Sequence, residues 1–445
     1  MFSSYDDDMR RKRGPIRSRW SDLPPELLEL IMKKLASVDI LRFEAVCSRW
    51  CKTAKSYISS PYFTLDMPQT PWLMIPGGEG NHIHTRRFFN LSEFKYYTIK
   101  NTFGYMPDAC CIGSSHGWLV LTDEKARPAR LLNPFSGDRI DLPSIGWRST
   151  IFLGMSRDDV VKVVTSSKPP SEEDFGVVVV VVILNSTTIG LSQLACYRHG
   201  HDEGWTNIST VVSYAYHDGI FHSTNGNLYA LATDGSVEVW DMRQCSPITT
   251  LHLQPLSHQL DIDLKLLIPC TDSMFYLVES LGELLLVRRF IRKTTDHPGY
   301  PYRTVHFSIY RLKSISKGFE WEKVESLHNQ SLFLGGNHSI SLSCHSLPEC
   351  EENSIYFTDD RWWEMNKNGK YGVGNIGGHD LGVYNIKDDI VKPMPCYMRF
   401  DRSSINPPPF WIVPDIIHGS YSLRNEIIQF TRCASLGKRD YWRNC

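Results

Sequence analysis

The chain has 445 residues, 42% hydrophobic and 22% charged, a balance that supports a large folded core. Acidic and basic side chains almost cancel, to a formal net charge of −1, so no global field is available to grip a phosphate backbone and nucleic acid is excluded as the main partner. The longest aliphatic run, Val177–Leu184, is far too short for a membrane-spanning helix and is expected to be a buried strand.

Residues 1–19 carry Asp6, Asp7 and Asp8, then Arg10, Arg11, Lys12 and Arg13, with too little apolar content to order them; they are expected to form a disordered tail. The basic cluster is either a nuclear-import signal or a solvated end. No apolar stretch of the secretory-signal kind opens the chain, which predicts a nuclear and/or cytoplasmic protein that is not secreted. Twelve cysteines are scattered without a single C-x-x-C pair, so neither a disulfide framework nor a paired-thiol zinc site is expected.

From Leu23 to Trp50 the texture is helical. Leu27, Leu28, Ile31 and Leu35 recur at helical spacing on one apolar stripe, with Ser21 or Asp22 as cap and Pro24 and Pro25 in the first turn. A second run follows Ser37 and Asp39 through Ile40, Leu41 and Phe43, and Val46, Cys47 and Trp50 lead into a third helical piece. A unit of about 40 residues has too small an interior to hide so many large apolar side chains. They either dock on the domain that follows or face a partner.

The spaced set Leu23, Pro24, Glu26, Leu27, Leu28, Ile31, Leu35, Asp39, Leu41, Val46, Cys47 and Trp50 resembles the F-box motif. The resemblance favours the partner. It implies that residues 20–60 bind a Skp-type adaptor, and through it the cullin and RING subunits of an SCF ubiquitin ligase. Leu23, Pro24, Leu27, Leu28, Ile31, Leu35, Val46 and Trp50 are the candidates for the adaptor face, some of which must instead hold the helical core.

Prolines and glycines over 61–78 mark a linker, and 431–445 is a C-terminal tail. Between them, 79–430 is a succession of short apolar strands and turns. Asn227–Leu231, Asp234-Gly235 and Ser236–Trp240 form a strand, hairpin turn and strand; Ser273–Val278, Leu281-Gly282 and Glu283–Val287 repeat it. Ser354–Phe357 resumes, after an insertion, at Leu381–Ile386, and Gly117–Leu121 with Arg130–Gly137 makes a similar hairpin. Aligning Tyr229, Tyr276 and Tyr356 suggests one blade and then two, and a period of about 40–50 residues gives about seven degenerate blades. The fold class is therefore mainly β, a small three-helix F-box followed by a β-propeller, with paired β-sandwiches as the alternative.

Phrases such as Leu194–Arg198 before Gly204-Trp205-Thr206, Ser331–Gly335, Ser354–Asp360, Leu381–Tyr384 and Pro407–Trp411 resemble, in order, the plant F-box proteins with a KIB-type β-propeller. The resemblance implies capture of a protein client, a kinase of the glycogen-synthase-kinase type in members studied as KIB proteins. It carries over no client-binding residue.

Several short motifs imitate catalytic ones. Gly113-Ser114-Ser115-His116-Gly117 fits G-x-S-x-G, yet the strand Trp118–Leu121 follows where a nucleophile elbow needs a helix. Gly372–Gly377 fits G-x-G-x-x-G without the helix that cradles pyrophosphate. His82 with His84, and His199 with His201, Asp202 and Glu203, lack a third ligand at a recognisable spacing. Asp359-Asp360 beside Arg361-Trp362-Trp363 is either a recognition patch or packed blade residues. No cofactor, metal or catalytic residue is expected, and no membrane. The leading expectation is a non-catalytic substrate receptor of a ligase; the alternative is an interaction protein acting outside any ligase, for example by occluding a client kinase.

Overall fold

The computed structural model describes residues 20–63, 69–76, 85–99, 102–103, 109–122, 129–143, 160–166, 177–184, 191–208, 216–232, 236–242, 248–253, 272–293, 302–316, 318–345, 347, 349–360, 380–394, 409–414 and 429–431. The chain divides into two compact units, Met1–Gln69 and Thr70–Cys445.

Among the described residues the first unit has three α-helices, α1 (Pro25–Met32), α2 (Ser37–Glu44) and α3 (Ser48–Ile58), with α3 packed on both others. Leu28 and Met32, one turn apart on α1, are buried, as are Ile40 and Phe43 of α2 and Ala54, Tyr57 and Ile58 of α3. Phe43 also meets Trp50, with ring centroids 4.3 Å apart. The expected cap of α1 is not used. Ser21 and Asp22 lie in a 3-10 turn, Trp20–Asp22, and Pro24 occupies the cap position, where its carbonyl accepts from the Leu27 and Leu28 amides. Pro25 then starts the helix with the φ it already prefers.

Among the described residues the second unit is built from six sheets, numbered I to VI in chain order. Five of them, II to VI, use consecutive strands, whose first members begin at Cys110, Val160, Tyr216, Asp272 and Gln330. Sheet I joins the strands Trp72–Pro76, Arg86–Asn90 and Lys95–Ile99 to Phe410–Ile412 and Gln429–Thr431, so that Leu73 lies opposite Trp411 and the late strands close on the early ones. Closure in this way leaves neither end of the array as an open face. Apolar clusters fill the gaps between neighbours, for example Trp118, Val120, Val163 and Ala195 between II and III, and Phe333, Tyr356, Leu73 and Trp411 between VI and I.

The expected count of about seven blades is corrected: the described strands give five blades of consecutive strands and the closing sheet. The error lies in the tyrosines used as markers. Tyr229 is on the second strand of its sheet, Tyr276 on the first strand of the next, and Tyr356 on the central strand of the one after, so the three positions are not equivalent. The strands Glu283–Lys293 and Tyr302–Ile315, 11 and 14 residues long, further stretch the interval that had been divided in two.

Several local expectations are met. Leu281-Gly282 is the turn between Asp272–Ser280 and Glu283–Lys293, with φ of 53° and 78°. Val177–Leu184 is a central strand, paired on both sides. Leu228–Ala232 pairs with Val237–Asp241, and Ser354–Phe357 with Gly382–Asn385. Asp234-Gly235 lies outside the described residues. No described helix is long and apolar enough to cross a membrane.

Candidate functional site

On the helical unit the eight candidate adaptor residues separate by exposure. Pro24, Leu27 and Val46 are exposed, the latter two by 47% and 55%; Leu23, Ile31, Leu35 and Trp50 are half-buried; Leu28 is fully buried. Leu28 therefore packs inside the unit, back to back with its neighbour Leu27. Leu30, which sequence reasoning passed over, is the most exposed large apolar residue of α1 at 58%. Trp50 is positioned by its indole N–H, which donates to the Trp20 carbonyl at 3.1 Å, so the 3-10 turn and α3 are tied together at the edge of this face. The exposed part of the arrangement includes the large apolar residues Leu27, Leu30 and Val46. It offers a surface of apolar side chains, suited to burial against another chain.

In the propeller, the G-x-S-x-G segment is a strand and a turn. Cys110–Ser115 ends at His116 and Gly117, both with positive φ, and Trp118–Thr122 returns beside it. Two consecutive positive φ values make the tight hairpin turn that joins antiparallel strands, and no helix follows. The Ser115 hydroxyl is buried and engaged with Thr165 Oγ1 and His116 Nδ1, each at 3.1 Å. Stacked on His116 is His338, whose pKa burial pushes well below the usual range, helped by the nearby His116 and Lys162 charges. Asp202 is occupied by Arg198, which donates from its backbone amide at 2.8 Å and from Nη2 at 2.9 Å. The G-x-G-x-x-G segment, His82 and His84, and Arg361-Trp362-Trp363 lie outside the described residues.

Asp359 and Asp360 are packed blade residues. Asp359 is buried and accepts from Tyr302 Oη, at 3.1 and 3.0 Å. Asp360 accepts from Tyr276 Oη at 2.7 Å and from Arg289 Nη1 at 3.2 Å. Arg289, at 0% exposure, is the hub of this network. Its remaining donors reach the Thr358 carbonyl at 2.9 Å, Thr304 Oγ1 at 2.6 Å, and the carbonyl and carboxylate of Asp380 at 3.0 and 2.8 Å. Burial alone would favour losing the guanidinium charge, but Tyr276, Asp380, Asp360 and Asp359 together raise its pKa well above the normal value. Arg289 sits on sheet V and most of its partners on the segments flanking sheet VI, so the network fastens one blade to the next. A second buried ion pair, Lys162 with Asp218, does the same for sheets III and IV.

A Ser-His-Asp array also spans V and VI. His306 Nδ1 is 2.7 Å from Asp389 Oδ1, and Ser308 Oγ is 3.3 Å from His306 Nε2. Ser308 is buried, whereas an attacking hydroxyl must be reached by its substrate, so the array serves as an inter-blade clamp that Tyr384 completes at 2.7 Å from Asp389. Burial opposes ionisation of Asp389, but hydrogen bonds from Tyr384 and His306 and the charge of His306 outweigh it and hold the carboxyl below its usual range. A carboxyl with a depressed folded pKa stabilises the fold above its unfolded pKa, and the contribution fades as pH falls through the folded value. Acid titration from pH 5 to pH 3 is thus expected to destabilise the Asp389→Asn variant less than the parent chain, as followed by thermal unfolding. Equal losses would show that the clamp is not coupled to folding.

Comparison with known proteins adds to this geometry. The KIB1-4 beta-propeller family model matches residues 88–385, and the F-box domain model matches residues 20–62. The F-box protein SKIP23 of Arabidopsis thaliana is 28% identical over 433 residues, covering 88% of this chain and 95% of that protein. The F-box/kelch-repeat protein KIB1 of the same plant is 25% identical over 387 residues, covering 85% and 87%. Among solved structures, the N-terminal domain of Nup159 aligns at a TM-score of 0.30 and 9% identity over 55% of this chain and 59% of that one, a likeness too weak to argue from.

Proposed function

The chain belongs to the KIB1-4 β-propeller family, and from that premise we propose that it is the substrate-recognition subunit of an SCF-type ubiquitin ligase. The helical unit binds a Skp-type adaptor and through it the cullin and RING subunits, while the propeller holds a protein client for ubiquitin transfer. The bond-forming chemistry then sits on other chains, and this polypeptide acts as a receptor. The observation that carries the reading is the outward apolar face of a very small helical unit, Leu27, Leu30 and Val46, standing in a segment that the F-box model matches. Burying one such side chain at a contact contributes roughly 1.5–3 kcal/mol, so a few of them suffice for a stable complex. A nuclear and/or cytoplasmic location is part of the same proposal.

Removal of residues 20–62 provides the test. The truncated chain is expected to lose co-purification with the adaptor and to protect its client from proteasomal turnover by holding it undelivered. Adaptor binding that survives the deletion would overturn the assignment. Client levels that ignore proteasome inhibition would instead favour a protein acting outside a ligase.

A further inference from the structure

Sheet V treats its cations differently at its two ends. At the end that holds Glu283, Arg311 pairs with Glu283 and Glu322 at 3.3 and 2.7 Å, and Lys313 pairs with Glu322 at 2.8 Å, so each cation has its carboxylate. Hydrogen bonds from Lys313 and Arg311 hold the Glu322 carboxyl down at about 2, and this ladder stays ionised across the physiological range. At the other end, Arg292 of the strand Glu283–Lys293 lies directly opposite Arg303 of the strand Tyr302–Ile315. Two like charges that face each other across an antiparallel pair repel. Arg303 is exposed and Arg292 half-buried, and no carboxylate of the described residues pairs with either.

The backbone that carries this pair is fixed from the opposite face. Side chains alternate along a strand, so Arg303 points away from the face shared by Tyr302 and Thr304, and Arg292, its cross-strand partner, points the same way. Tyr302 and Thr304 are buried and held by acids: the Tyr302 hydroxyl donates to Asp359 at 3.0 Å, and the Thr304 amide and hydroxyl donate to Asp380 at 2.9 and 2.8 Å. Arg289, on the same face as Thr304, takes up Asp360 and Asp380. The carboxylates at this end are thus committed to the buried face. The two arginines on the other face are held at a fixed spacing with their charge unmatched.

Residues directly opposite in an antiparallel pair have Cα atoms about 4.5–5.5 Å apart, close enough for two guanidinium forks to converge on one group. That group must bring about two negative charges to cancel the repulsion. A phosphate monoester near neutral pH brings about −1.5 to −2 and three acceptor oxygens, enough to receive both forks. A carboxylate brings one charge and two oxygens, and leaves half of the repulsion in place. Because Arg303 stands in the open, two such contacts alone would hold a free ion weakly. The phosphate is better held when it is carried by a chain that also touches the surface around it.

We propose that Arg292 and Arg303 form a phosphate-recognition site that reads a phosphorylated side chain of the client protein. Capture is then conditional on modification, because an unmodified hydroxyl carries no charge to offset the opposed arginines. Arginine suits the task better than lysine, since its planar fork meets two phosphate oxygens at once. The near-neutral net charge of the chain, −1, gives no general attraction for anions, so discrimination rests on this local surplus. The inference rests on the receptor reading only in naming the occupant a client.

The test uses the full chain and a synthetic library of short peptides with a central serine, each made with and without phosphate. Phosphorylated members are expected to bind about tenfold or more tightly than their unmodified twins, the worth of a hydrogen bond to a charged group. Arg292→Gln and Arg303→Gln should each remove most of that preference and leave the unmodified peptides unaffected. Arg311→Gln, at the neutralised end of the sheet, should keep it. Each glutamine variant relieves the cross-strand repulsion, so it is expected to unfold no earlier than the parent, and its weak binding is not a folding defect. No preference for phosphate, a preference that survives both variants, glutamate binding as well as phosphoserine, or displacement by inorganic phosphate at the peptide's own concentration would each overturn the site. Earlier unfolding of either variant would also overturn it, by showing that the arginine has its counter-ion within the fold. Capture of a purified Skp-type adaptor by the same preparations reads the receptor proposal separately. Adaptor bound without any phosphate preference sinks the recognition site alone, and a phosphate preference without adaptor binding sinks the receptor reading alone.

Discussion

Replacing Arg289 with methionine is expected to lower the unfolding free energy of the propeller unit by about 3–5 kcal/mol, the typical cost of removing one partner from a buried charge network. The methionine preserves most of the side-chain volume, so the loss is electrostatic more than steric. What remains behind is Asp360, Asp380 and the Tyr276 hydroxyl, all turned toward a vanished guanidinium, together with the orphaned carbonyls of Thr358 and Asp380. Buried carboxylates stripped of their counter-charge, and carbonyls stripped of their donor, are what makes the change severe. Arg289→Lys should recover only part of the loss, because one ammonium with three donors cannot serve Thr304, Thr358, Asp360 and Asp380 in their fixed directions. The control is Arg130→Met. Its ion pair with Asp141, whose side chain is 72% exposed, is a surface contact expected to count for about 1 kcal/mol or less. Urea unfolding of the full chain measures both; a loss at Arg289 no larger than at Arg130 would show that the network does not hold the blades together.

This network also shows where sequence reasoning stops. The helical stripe of α1 is legible because neighbours three and four residues apart share a face whatever the rest of the chain does. The Leu281-Gly282 turn is legible for the same reason, since its signal is local and lies between two strand-like runs. Arg289 is different: its acceptors at Asp360 and Asp380 are 71 and 91 residues away, and nothing near Arg289 announces them. The only local hint is the pair Arg288-Arg289 between the apolar runs Leu284–Val287 and Phe290-Ile291, a pattern that implies a buried charge and leaves its partner unnamed. The blade count failed on a related ground. Degenerate blades were aligned through a residue type, tyrosine, that occurs on inner and central strands alike, so the apparent period mixed strand spacing with blade spacing. The inward and outward members of α1 were likewise undecided until α3 was in place, because Leu27 and Leu28 are chemically identical and only packing tells them apart.

That last distinction gives a sharp expected result for adaptor binding. Changing Leu27 and Leu30 together to aspartate should reduce capture of a Skp-type adaptor by about a hundredfold or more while the three helices stay formed. Each leucine buried at the contact contributes roughly 1.5–3 kcal/mol, two contribute about 3–6, and every 1.4 kcal/mol is about a factor of ten in affinity. Both side chains are exposed in this chain, so neither substitution disturbs the unit's own core. Leu28→Ala should also abolish capture, by another route. Truncating a fully buried leucine costs about 2–5 kcal/mol, comparable with the whole stability of a unit of about 40 residues. Its helices should therefore melt, and the far-ultraviolet helical signal of an isolated segment spanning 20–62 separates the two routes. The apolar face is the adaptor surface only if the double aspartate variant keeps that signal and loses the adaptor; a variant that keeps both would move the contact to the half-buried edge formed by Leu23, Ile31 and Trp50.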